Sequence, residues 1–221
     1  MTPKKADQIR LLLIEAYGRP LARRATDPID ELVQTILSQN TTDQNSQRAF
    51  DTLKKAFPTW ESVLGAAPES LARAIHCGGL AQIKSQRIVR VLRTIQEREG
   101  ELSLKRVCAM PVNEALAYLT GLEGVGIKTA CCVLLFACGR PVLPVDTHVY
   151  RVSQRLGLLG GSVPIERAHE ELHALFAPAE RYAMHMLLIQ HGRRTCHALR
   201  PACDACALAE KCPSARATLV A

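Results

Sequence analysis

No apolar stretch in the 221-residue chain reaches the roughly 18 residues that a membrane-crossing helix needs, so no membrane partner is expected. Runs that alternate apolar and polar residues are nearly absent, which argues against a sheet. There is no fixed-period repeat and no low-complexity tract. The opening MTPKKADQIRLLLIEAYG holds only a short apolar run and carries Glu15, so it reads as an amphipathic helix rather than a secretory signal. Without such a signal, an odd number of cysteines, nine, argues against a disulfide framework and for metal ligands plus buried thiols. These absences leave a cytoplasmic protein, associated with a nucleoid or nucleus if its partner is DNA.

What is present fits a folded helical protein. A hydrophobic fraction of 48% is ordinary for a globular chain, and the length allows one large domain or two compact ones. The net charge of +7 favours a polyanionic partner, because clustered Lys and Arg gain affinity by releasing counterions from phosphates. Lysines and arginines concentrate between Arg73 and Arg106 and again after Arg181.

Helical periodicity dominates. Ala49, Phe50, Leu53, Ala56 and Phe57 form one stripe, with Asp43 and Arg48 on the polar side. Ile88, Val91, Leu92 and Ile95 form another, and Lys84, Arg87 and Arg90 lie off it as a possible basic face. Pro28 after Asp27, Pro68 and Pro164 read as helix starts, since a first-turn proline loses no hydrogen bond. The expected fold class is all-α, about ten helices joined by short loops.

After His191 the composition changes to closely spaced cysteines, arginines and prolines, a tail too small for its own core. Cys196, Cys203, Cys206 and Cys212 bring four soft sulfurs within reach of one ion or cluster. Structural zinc sites usually pair two C-x2-C units, whereas here one such unit is flanked by single cysteines, and the spacing leans towards an iron–sulfur cluster. Cys77, Cys108, Cys131, Cys132 and Cys138 read instead as small apolar core residues.

The segment LTGLEGVGIKTACCVLLFACG reads as a helix ending near Leu119, a loop from Gly121 to Gly126, and a second helix from Ile127 or Lys128 to Cys138. Gly124 and Gly126 allow a sharp turn and close approach of a ligand, and the amides of the following helix start make an anion site. Such a hairpin can grip a DNA phosphate without reading sequence, though a mere tight turn has the same pattern. Lys128 sits beside that positive helix start and near other cations as a candidate amine nucleophile; a second phosphate contact is the plainer role. Asp146 in VDTHVYR suits a helix N-cap. A helix of about 11 residues is roughly 16 Å long, and the return segment from Gly139 can span up to about 26 Å, so Asp146 can reach Lys128.

The glycine hairpin with its lysine, the aspartate of VDTHVYR and the four-cysteine loop after HGRRTC together resemble the helix-hairpin-helix DNA glycosylases of the endonuclease III family, over about residues 5 to 213. The resemblance implies two all-α domains with a DNA-binding cleft between them: residues 29–140 with the helix-hairpin-helix, and a discontinuous cluster domain of 1–28 and 141–221. It implies a monomeric base-excision repair enzyme that removes oxidised pyrimidines from double-stranded DNA, acts on abasic sites, and holds a 4Fe–4S cluster on Cys196, Cys203, Cys206 and Cys212. Lys128 matches the family's Schiff-base nucleophile and Asp146 the carboxylate that supports base loss. In SQNTTD, Gln39 and Asn40 match the void-filling loop; in GGLAQIKSQ, Leu80 matches a wedge, with Lys84 nearby as a DNA contact. Gly124, Val125 and Gly126 match the phosphate-gripping turn and His148 a DNA-contacting position. Glu123 stands where the family more often has proline and puts a negative charge near a phosphate. The family's commoner loop, LSAQATD, aligns its void-filling glutamine with Asn40. The alternatives are a monofunctional mismatch or adenine glycosylase, whose members generally lack a lysine at the position of Lys128, and a non-catalytic DNA-binding redox sensor.

Overall fold

The computed structural model describes residues 3–22, 25–161 and 163–215, and its regular structure among them is helical throughout. The chain divides into two compact units: residues 24–140, and residues 1–23 with 141–221.

The continuous unit is built around α2 (Pro28–Leu37). Asp27 caps it by accepting from the amides of Ile29 and Asp30, and Ile29, Leu32, Val33, Ile36 and Leu37 are all essentially inaccessible. A helix apolar on nearly every side must be surrounded. Its neighbours are α3 (Asp43–Ala56), α6 (Ala81–Glu99) and α9 (Ile127–Cys132), with α4 (Trp60–Leu64), α5 (Pro68–Ala74), α7 (Lys105–Ala109) and α8 (Val112–Thr120) completing the shell. The stripe on α6 buries Ile88, Val91, Leu92 and Ile95 as the periodicity predicts. On α3 only Ala49 and Leu53 of the predicted stripe are buried, and Ala56 is exposed where the helix ends. Beyond α9 the helix widens into a π turn, Val133–Ala137, closed by Cys138 donating to Val133 O. Twelve α-helices stand among the described residues where about ten are expected, because α4 and α7, at five residues each, are too short to show a period.

The discontinuous unit joins α1 (Pro3–Tyr17) to α10 (Thr147–Arg155), α11 (Ile165–Leu175) and α12 (Arg181–Arg194). Ile9 and Leu13 of α1 share one core with Val149, Val152, Leu172, Met184, Leu187 and Leu188. Leu208, Cys212 and Ala215 of the cysteine tail belong to the same core, so the tail borrows its hydrophobic support from these helices.

One cysteine reading is corrected. Cys108 and Cys138 form a disulfide in the continuous unit, while Cys131 and Cys132 remain buried thiols. The pair is 30 residues apart and neither sequence neighbourhood marks it; the turn after α9 carries Cys138 back to α7.

Candidate nucleic-acid interface and cysteine loop

In the continuous unit, α6 ties together three loops. Its first residue beyond the cap, Ala81, follows Gly79 and Leu80, and Leu80 takes the left-handed conformation at φ 50°. Its side chain is 52% exposed, and Ile83, one turn on, is 53% exposed, a small apolar pair at the helix start. Asn40 in the loop between α2 and α3 is the other described non-glycine residue at positive φ, 52°, and it is exposed. Both conformations are costly for a residue with a Cβ.

Arg87 of α6 donates to Gln39 Oε1 at 2.6 Å. Because an arginine only donates, the amide oxygen of Gln39 is committed to Arg87, and its NH2 group has no partner among the described residues. The stem of Arg87 also runs under the glycine hairpin. Gly124 adopts φ +80°, and a Cβ there would lie 2.5 Å from Arg87 Nε. The hairpin itself is formed by α8, the turn Gly121–Gly126 and α9, whose first turn has no side-chain cap and so leaves amides for an anion. Arg90 pairs with Glu123 on the exposed surface, so the acidic residue of this turn is neutralised by α6 rather than facing a phosphate alone.

Lys128 is half-buried in the first turn of α9, and no described residue pairs with its ammonium. Two other predicted contacts sit differently from the expectation. Val125 is 4% exposed and its amide donates to Leu122 O, so its side chain and N–H are spent within the turn. Lys84 is 2% exposed, and its Nζ donates to Leu37 O at 2.7 Å and Gly78 O at 2.8 Å. Burial, and then the charge of Arg87, lower its pKa. Lys84 points inward because α6 starts just after Leu80, which turns position 84 towards α2. Sequence reasoning missed the tying role of Arg87; its spacing of seven from Leu80 marks the shared face, but its partner Gln39 lies far off in the chain.

In the discontinuous unit Asp146 caps α10, its Oδ1 accepting from the Val149 amide at 2.7 Å, and Oδ2 has no partner among the described residues. The approach to it is held by main-chain bonds: His173 accepts from the Leu143 amide, and Arg181 donates to Pro141 O. His185 meets Pro144 O through Nδ1. His148 is half-buried; Arg151 donates to its Nδ1 at 3.1 Å, which places the ring proton on Nε2.

Cys196, Cys203, Cys206 and Cys212 line a single cavity of about 280 Å³ together with Arg155 and His191. Arg155 donates to His197 O at 2.6 Å, to Ala198 O at 2.7 Å and to Cys196 Sγ at 3.4 Å, and Arg151 donates to Cys196 O, so two residues one turn apart on α10 shape the loop. Leu208 N–H donates to Cys206 Sγ at 3.4 Å. Burial, and then the neighbouring thiols, raise the pKa of Cys203 and Cys206. Burial holds His191 down at about 4. No trio of His, Cys, Asp or Glu among the described residues converges as a single metal ion requires. The four thiols lining one cavity are the donor type that zinc or an iron–sulfur cluster takes.

These features define a helical DNA repair protein, and the chain belongs to the HhH-GPD superfamily of base excision DNA repair proteins, matched over residues 33–178. It is 34% identical to Endonuclease III of Thermotoga maritima over 206 residues, covering 90% of this chain and 92% of the relative. It is 38% identical over 165 residues to a candidate DNA glycosylase of Arabidopsis thaliana, covering 75% of this chain but only 56% of the plant protein. Among solved structures it is similar to a non-covalent Endonuclease III–DNA complex, with 25% identity, a TM-score of 0.85 and full coverage of both chains.

Proposed function

We propose that this base excision repair glycosylase removes oxidised pyrimidines from duplex DNA and then nicks the strand at the resulting site. The observation that carries the reading is Lys128: a half-buried lysine without a partner among the described residues, one turn behind a glycine hairpin. An amine not held by a carboxylate is free to attack carbon once deprotonated.

In the proposed reaction the damaged nucleotide is extruded, because C1′ cannot be reached within the stack. Nζ of Lys128 bonds to C1′ as the glycosidic bond breaks, and the base leaves with the bonding pair and takes a proton. Ring opening gives a Schiff base; loss of a C2′ proton then expels the 3′ phosphate by β-elimination. The carboxylate of Asp146 stabilises positive character on the sugar during base loss, using the oxygen not spent on the cap. The uncapped first turn of α9, with Gly124 and Gly126, holds a backbone phosphate. Asn40 and the NH2 group of Gln39 meet the unpaired base, Leu80 wedges the stack, and His148 Nε2–H donates to the DNA backbone. Cys196, Cys203, Cys206 and Cys212 hold a 4Fe–4S cluster, which braces the loop and takes no part in the bond changes. We place the enzyme as a monomer in the cytoplasm, on nucleoid DNA.

The test is borohydride trapping on duplexes carrying thymine glycol or an abasic site. A covalent adduct with both, absent in Lys128→Gln while duplex binding stays within about threefold, is the expected result. An adduct on the abasic site alone removes the oxidised-pyrimidine assignment. A Lys128→Gln variant that nicks at the wild-type rate removes the nucleophile.

A further inference from the structure

Lys84 is an expensive residue in its place. Its ammonium is buried with two main-chain carbonyls as its hydrogen-bond partners, and no carboxylate contributes to its ionisation. Burying a charge on neutral partners costs more than an apolar side chain of the same length would. The two carbonyls it joins are far apart in sequence but share one property. Leu37 ends α2 three residues before Asn40, and Gly78 lies two residues before Leu80. Asn40 and Leu80 are the two described non-glycine residues held in the left-handed conformation, and both are exposed. One buried group thus sits at the root of both strained tips and keeps their roots within two hydrogen bonds of each other.

We propose that Lys84 is a positioning residue for opening the duplex: its ammonium locks the spacing between the Asn40 and Leu80 tips, so that both enter the stack as one rigid pair. This rests on the proposed function of those tips. A wedge must unstack bases at a cost for each step, and a tip that has first to be ordered loses that work to its own entropy. Lys84 does not touch DNA. It acts through Asn40 and Leu80, and it matters only where a paired strand must be opened.

The experiment compares wild type with Lys84→Met, which keeps the stem and removes the three donors. Single-turnover base release is measured on thymine glycol in a fully paired duplex and on the same strand opposite a one-nucleotide gap, where little has to be opened. In parallel, 2-aminopurine opposite a tetrahydrofuran site reports insertion without any chemistry. Lys84→Met should be slower by tenfold or more on the paired duplex and within about twofold on the gapped one, and the fluorescence rise should be lost. Equal losses on both substrates, or an unchanged fluorescence rise, overturn the proposal. If Lys84→Met does not fold, Lys84→Gln, whose amide still donates to one carbonyl, should show the same selectivity at smaller size; a uniform loss with it overturns the proposal equally. If the wild type releases no base from either substrate, the reading of the lesion fails, and the fluorescence arm still decides the role of Lys84.

Discussion

Gly124→Ala offers a worked measure of how tightly α6 holds the hairpin. The backbone there is at φ +80°, and an added Cβ would stand 2.5 Å from Arg87 Nε and 2.7 Å from its Cδ. Left-handed backbone costs a residue with a Cβ about 1–2 kcal/mol. Arg87 must also swing aside and give up its bond to Gln39, a half-buried bond with a charged donor whose loss costs about 1 kcal/mol. The expected destabilisation is about 2–3 kcal/mol, or a fall in Tm of about 4–12 °C for a chain of this size. Gly126→Ala is the internal control. It has no neighbour within 4 Å of the new Cβ and an ordinary φ of −84°, so only a weaker cap, about 0.5 kcal/mol, is expected. Thermal melts followed by circular dichroism give both values. An Arg87→Ala background should remove the collision and leave only the backbone cost of about 1–2 kcal/mol. Equal melts for the two glycine variants, or strict additivity of Gly124→Ala with Arg87→Ala, would refute this account of the turn.

Asp146→Asn keeps an excellent helix cap, so the melt should hardly move while base release slows by about 10² or more; an unchanged rate reduces Asp146 to a cap. Arg155→Met removes two bonds to the carbonyls of His197 and Ala198, and iron per purified chain should fall by half or more, whereas full iron content would show that the loop shapes itself. Burial, and then the charge of His173, hold the pKa of His169 at about 4, below the ordinary 6.5. The unfolded chain therefore binds a proton that the folded chain refuses. The contribution of His169 is complete above pH 6.5 and is lost as pH falls towards 4, worth roughly 3 kcal/mol at most. Melts between pH 7 and pH 4.5 should show this slope flattened in His169→Gln, and a slope that persists unaltered assigns it elsewhere.

The long helices were legible because their signals are local. The stripe Ile88, Val91, Leu92 and Ile95 and the Asp27–Pro28 start need only neighbouring residues to be seen. The glycine hairpin was visible for the same reason. What stayed hidden depends on partners distant in sequence. Lys84 looks like a surface cation until the carbonyl of Leu37 is brought beneath it, and the bond by which Arg87 holds the amide oxygen of Gln39 joins residues 48 apart. Cys108 and Cys138 carry no mark that separates them from buried thiols. The π turn after α9 is a matter of hydrogen-bond register, to which side-chain patterning is blind.

The discontinuous unit also sets an order on the making of the protein. Residues 24–140 are one uninterrupted run and can collapse as soon as they leave the ribosome. Helix α1 cannot, since the side chains that bury Ile9 and Leu13 belong to α10–α12 and Tyr17 finds its partner in His191. At bacterial or eukaryotic elongation rates of about 5–20 residues per second, α1 waits on the order of ten to thirty seconds with its apolar stripe bare. The continuous unit can thus be finished while α1 is still unsatisfied, and chaperone demand during synthesis falls on that one amphipathic helix rather than on the larger core.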